Sequence, residues 1–131
     1  MIARADLRRI ARTRLRDADI LFRGRRYDGA AYLCGYAVEL TLKARICATL
    51  RWAGFPSTNR EFQNYSSFKI HDFEVLLHLG GREAMVRGAH LADWSVVMDW
   101  DPEFRYQLPG ASTRADAESM IESTRKLMRV L

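Results

Sequence analysis

Between residues 5 and 24 the apolar side chains fall at Leu7, Ile10, Ala11, Leu15, Ala18, Leu21 and Phe22. Steps of three and four put them on one stripe of a helix, and the arginines take the remaining face. Arg23-Gly24-Arg25-Arg26-Tyr27 breaks the pattern. Asp28 then reads as the N-cap of a second helix over about 29–52. That segment, GAAYLCGYAVELTLKARICATLRW, is apolar around most of its circumference, as expected of a helix with neighbours on several sides. Glu39 and Lys43, four apart in the favourable Glu-then-Lys order, mark a polar strip on it. Gly54 and Pro56 are expected to end it.

Residues 55–69 form a polar connection dotted with aromatics and without periodicity, long enough to carry function. A third helix is expected from about His71 to Leu79, stopped by Gly80-Gly81. Residues 82–100 should hold another short helix or two, with Met85, Val86, Leu91, Trp94 and Val97 as apolar positions. Asp101-Pro102 and Pro109-Gly110 mark turns. Ser112 or Thr113 can cap a last helix whose stripe is Ala117, Met120, Ile121, Thr124, Leu127, Met128 and Leu131. No strand-like alternation and no internal repeat is visible. The expected fold is all-α, an up-and-down bundle of four or five helices in one domain over residues 1–131.

Composition narrows this reading. The chain has 131 residues, 48% apolar and 28% charged, which excludes a disordered tail, a collagen-like rod and a disulfide-stapled miniprotein. The net charge of +5 is unevenly placed. Residues 1–27 carry nine Arg against three Asp, and the remainder is close to neutral. That basic segment reads either as a nucleic-acid footprint or as a solvated face in an Arg-rich chain, which has eighteen Arg and three Lys. Cys34 and Cys47 lie on one expected helix, ~20 Å apart at 1.5 Å per residue, so no bridge is expected. Unbridged thiols, no apolar leader and no stretch long enough to span a bilayer fit a cytoplasmic protein away from membranes.

Familiar catalytic signatures are missing. There is no P-loop and no dinucleotide glycine fingerprint. The cysteines lack zinc-like spacing to any His, and His71 and His78 are ~10.5 Å apart along a helix. No metal and no cofactor is expected. Asp99 and Asp101 flank Trp100, but acidic loop residues beside Pro are usually solvated.

One ordered set of residues points further. The string RRYDGAAYLCGYAVELTLKARI, residues 25–46, resembles the second-helix signature of HEPN domains (higher eukaryotes and prokaryotes nucleotide-binding). Tyr27, Asp28 and Ala30 fit the family's helix entry, and Ala37, Glu39, Leu42, Lys43 and Ala44 its central run. His71-Asp72-Phe73 is similar to the family's His-Asp-Leu at the third helix. Arg105-Tyr106 stands for its Arg-Tyr-Pro element, with the proline delayed to Pro109. Ala115-Asp116-Ala117-Glu118 resembles the opening of its final helix. The resemblance implies a helical bundle, often a homodimer through the first helices, in a toxin–antitoxin or defence setting. Many members are metal-independent RNA endonucleases; others are non-catalytic partners of a nucleotidyltransferase or bind nucleotides.

The nuclease members carry Arg-x(4–6)-His, which pairs a phosphate clamp with a proton carrier. None of His71, His78 and His90 has an Arg at that spacing, and no His follows Arg105. The expected function is therefore binding of a nucleotide, RNA or a partner protein such as a nucleotidyltransferase, without catalysis by this chain alone. The alternatives are an endoribonuclease with a dispersed Arg105–His71 site, and a purely structural dimerisation module. Arg105 and Tyr106 could line a phosphate- or base-binding notch. Equally, Arg105 could pair with Glu39 inside the bundle while Tyr106 caps the core. Glu39 and Lys43 read first as a structural ion pair and second as a polar strip facing the same notch. Trp94, Trp100 and Phe104 are expected in the core or at a dimer contact.

Overall fold

A computed structural model describes residues 1–131. Three long helices, α1 (Arg4–Arg23), α2 (Tyr27–Thr49) and α6 (Arg114–Val130), carry the fold. Three one-turn to two-turn helices, α3 (Phe73–Leu79), α4 (Glu83–Ala89) and α5 (Leu91–Val97), close its other side. α2 packs against α1, α3 and α6, as its nearly all-round apolar sequence requires. One apolar cluster runs from Leu7 and Ala18 of α1 through Val38 and Leu42 of α2 to Trp94, Leu127 and Leu131. The all-α bundle expected from periodicity is the observed architecture.

Both long N-terminal helices end in the same way. Arg26 N–H bonds Leu21 O at 2.8 Å, and Trp52 N–H bonds Cys47 O at 2.8 Å. These are the six-to-one bonds of a Schellman-type cap, whose left-handed residue is normally Gly. Here Arg25 (φ 60°) and Arg51 (φ 57°) take that position. The cap stops α2 at Thr49, although apolar residues continue through Leu50 and Trp52.

Past that cap the chain pairs back on its start. β1 (Ile2–Ala3) and β2 (Gly54–Phe55) form a two-residue antiparallel ladder, Ile2 opposite Phe55 and Ala3 opposite Gly54. Sequence alternation shows no strand because two residues cannot display a period. Gly54 is required there, since a Cβ would lie 2.5 Å from Ile2 O. The 55–69 connection holds two short 3₁₀ turns, Glu61–Asn64 and Ser66–Phe68. Its aromatics join Trp52: Phe68 and Tyr65 lie 5.0 and 5.2 Å from that ring, and Phe62 6.1 Å from Phe55.

The remaining boundaries follow from caps. α3 starts at Phe73 rather than His71, because Asp72 is its N-cap and accepts Val75 N–H at 3.2 Å. The 82–100 run divides at His90 into α4 and α5. Thr113 caps α6 in a reciprocal box with Asp116, at 3.1 and 2.9 Å.

Asp28 is not the N-cap of α2. It lies inside the first turn, and its carboxylate accepts the backbone N–H of Gly110 at 2.7 Å and of Ser112 at 2.8 Å. Those two bonds tether the loop before α6 to the start of α2. They also hold the Asp28 carboxyl below the usual range, the Gly110 bond most strongly.

Candidate functional site

Tyr32, Tyr36, Glu39 and Lys43 recur on α2 at steps of four, three and four, which is one stripe of the helix. The Tyr32 hydroxyl donates to Pro102 O at 2.9 Å and lies 3.1 Å from the Tyr36 hydroxyl. It thereby fixes a 3₁₀ turn, Pro102–Tyr106, against the helix. Tyr36 is pushed up to about 12, first by its bond to Tyr32 and then by burial.

Trp100 locks the same region. Its Nε1–H donates to Tyr32 O at 3.1 Å, its ring meets Tyr36 edge-on at 4.9 Å, and Phe73 stacks on it at 5.5 Å. The indole reaches α2 only because residue 35 is glycine. Trp94 and Trp100 are thus core residues, as expected, whereas Phe104 is partly exposed.

These contacts leave a cavity of about 500 Å³ between the start of α2, the 99–108 segment and the start of α6. Tyr32 and Trp100, with ring centroids 5.7 Å apart, line it together with Leu108, Met120, Asp99 and Arg105. Arg105 donates to Pro102 O at 2.9 Å and to Glu103 Oε1 at 3.1 Å, and lies 4.6 Å over the Tyr106 ring. Tyr106 and then Tyr32 hold it charged.

Further along the stripe lies a second cluster. Glu39 is only 4% exposed, and Lys43 Nζ donates to its Oε1 at 2.6 Å. His71 Nδ1 stands 3.0 Å from Oε2, outside hydrogen-bond alignment, so that buried oxygen has no aligned donor. Lys43 also sits 5.3 Å over the Phe55 ring. The run His71-Asp72-Phe73 therefore divides three tasks: a contact to Glu39, a helix cap and a core ring under Trp100.

The residues singled out in the sequence fall into two groups. Arg105 lines the cavity; Glu39, Lys43, His71 and Tyr106 do not. Arg105 does not pair with Glu39: Lys43 donates to one oxygen of that carboxylate, while Arg105 is held at Pro102 O and Glu103. Tyr106 does not cap the core: at 73% exposure it lies under the Arg105 guanidinium. Nor do His71 and Arg105 touch. Their anchor points on α2, Glu39 and Tyr32, are seven residues or ~10.5 Å apart. Tyr32 and Tyr36 carry a sequence signal in their register with Glu39 and Lys43, whereas the Gly35–Trp100 contact carries none, because the two meet only through tertiary packing.

No helix is long and apolar enough to cross a membrane. No curated protein and no solved structure matches the chain. Residues 5–59, covering nearly all of α1, all of α2 and β2, match the HEPN domain family model, so the resemblance read from the 25–46 string holds across the first two helices.

Proposed function

We propose that this chain is a HEPN-like nucleotide- or RNA-binding domain that takes a nucleotide unit into the α2 cavity and does not act as a nuclease alone. The carrying observation is the 500 Å³ cavity with Tyr32 and Trp100 on its wall and Arg105 beside them. Its volume falls in the range of small-molecule sites. Arg105 offers a fork to a phosphate, and the half-buried Tyr32 ring offers an aromatic surface to a base. Two of the acids around it are already occupied, Asp28 by Gly110 and Ser112 and Asp116 by Thr113. Asp99 has no protein partner and is free to accept from ribose hydroxyls or a base amino group. The HEPN match over residues 5–59 supports a nucleotide- or RNA-related role. The setting that goes with it is a toxin–antitoxin or defence system, with the chain acting as a homodimer or beside a nucleotidyltransferase.

Calorimetric titration with nucleoside monophosphates and short RNA tests this. Binding weakened at least tenfold by Arg105→Ala is the expected result. Absence of binding to every nucleotide at low salt overturns it.

A further inference from the structure

Opposite the aromatic stripe, α2 presents a different surface. At ~100° per residue, Thr41 and Arg45 lie about half a turn from Tyr32, Tyr36, Glu39 and Lys43. There α1, α2 and α6 enclose a cleft of about 230 Å³ lined by Arg8, Arg12, Arg125, Arg129, Thr41 and the side chains of Leu15 and Met128. No carboxylate lines it.

The surrounding charge is also positive. Burial lowers the Arg8 pKa most, and Arg4 and Arg12 lower it further. Arg45 is lowered by burial and then by Arg82, Arg8 and Arg4. Arg125 is paired with Asp19 at 2.9 and 3.1 Å. Arg8 and Arg45 bond only the Leu131 backbone oxygen, at 3.1 and 2.7 Å, and Arg82 bonds Val130 O at 2.9 Å. Arg82 Nε is buried and has no acceptor. Arg4, Arg12 and Arg129 have neither a hydrogen bond nor an ion pair from their side chains. Asp19 is the one acidic side chain paired into this group, and Arg12 and Arg129 keep unpaired positive charge in the cleft that a bound polyanion would neutralise.

We infer that this cleft is a binding site for the phosphates of a single-stranded polynucleotide, separate from the α2 cavity. Several features select that ligand. Guanidinium forks match phosphate oxygens. Arg8 and Arg12 line the cleft one helical turn apart and Arg4 continues the same four-residue repeat along α1, a step of ~6 Å that suits successive phosphates of a strand rather than one free anion. Leu15 and Met128 are the only apolar contributors, so the cleft has no groove for the apolar face of a partner helix. It is concave and lacks exposed apolar anchors, which sets it apart from a membrane-docking face. Nothing in this inference depends on what the α2 cavity holds.

The test is fluorescence anisotropy of the whole chain with a labelled oligouridylate across a salt series. Arg12→Gln/Arg129→Gln is compared with Arg26→Gln/Arg60→Gln, which removes the same charge elsewhere. All four side chains are exposed and without a hydrogen bond or ion pair, and circular dichroism checks that both variants fold. The wild type should bind with a steep salt dependence. Losing two phosphate contacts should flatten the log–log slope by ~1.4, at ~0.7 per contact on a single strand. The cleft pair should also bind at least tenfold more weakly at low salt, while the control pair stays within threefold of wild type. Equal slopes for the two variants, no binding by the wild type, or displacement of the RNA by polyglutamate at equal charge would each overturn the assignment.

Discussion

Replacing Gly35 with alanine should unseat Trp100. A Cβ at position 35 would lie 1.9 Å from Trp100 Cε2 and 2.0 Å from its Nε1, against an ordinary carbon contact of ~3.5 Å. α2 is held between α1 and α6 and cannot retreat, so the indole must leave. Trp100 is 6% exposed, and losing a buried large aromatic costs ~3–5 kcal/mol. Alanine returns up to ~1 kcal/mol through its better helix propensity. The net loss is about 3 kcal/mol. With an unfolding entropy of ~2.1 cal/mol/K per residue, or ~0.28 kcal/mol/K for this length, Tm should fall by about 11 °C. Thermal melts followed by near-ultraviolet circular dichroism read both the drop and the loss of the fixed Trp environment. The decisive comparison is the same change made in a Trp100→Ala background. There the clash is gone, so Gly35→Ala should cost less than ~1 kcal/mol, a coupling of at least ~2 kcal/mol between the two positions. An equal cost in both backgrounds would refute the role assigned to Gly35.

Four further outcomes follow from other contacts. Asp28→Asn should destabilise by ~1–2 kcal/mol, as a charged acceptor is lost for two backbone N–H groups. Because the folded Asp28 pKa is depressed, its contribution is complete above pH ~4 and fades as pH falls through the lower folded value, so the Tm gap between wild type and Asp28→Asn should narrow in acid. Arg51→Gly should raise Tm by about 2–4 °C, since it relieves a left-handed residue costing ~1–2 kcal/mol and returns part of that as chain entropy. Thr113→Ala breaks the α6 capping box and should cost ~1 kcal/mol, or about 4 °C in a thermal melt. Thiol titration with a disulfide reagent should find Cys34 silent in the folded protein and reactive in denaturant, because burial drives its pKa up to about 12.

Much of the fold was readable because long helices declare themselves by period. The α1 and α6 stripes and the all-round apolar α2 each extend over enough turns to separate core from solvent. Boundaries depended instead on single local geometries. α2 stops at a left-handed arginine, a position where the residue type gives no warning, and α3 starts two residues late because an Asp cap outranks the preceding His. The β1–β2 ladder involves two residues on each side and carries no periodic signal.

The candidate site was harder to read for a related reason. Glu39, Lys43 and His71 were visible as residue types, and the register of Glu39 with Lys43 gave their ion pair directly. What each contacts besides its helix neighbour depends on which segment folds over α2. Asp28 looked like a cap for the helix that contains it, yet it holds a loop more than eighty positions away. Arg105 looked like a partner for Glu39, yet the Tyr32–Pro102 bond fixes its turn about two helical turns nearer the start of α2. The basic first segment shows the same limit in charge. Counting its arginines gives a helix face, whereas the cleft exists because Arg125 and Arg129 of α6 come to Arg8 and Arg12 of that face, beside Thr41 of α2. Charge density of that kind belongs to the fold rather than to any window of sequence. This is why exposed Arg12 and Arg129, far apart in the chain, are the pair whose removal should separate a polyanion site from an ordinary solvated helix face.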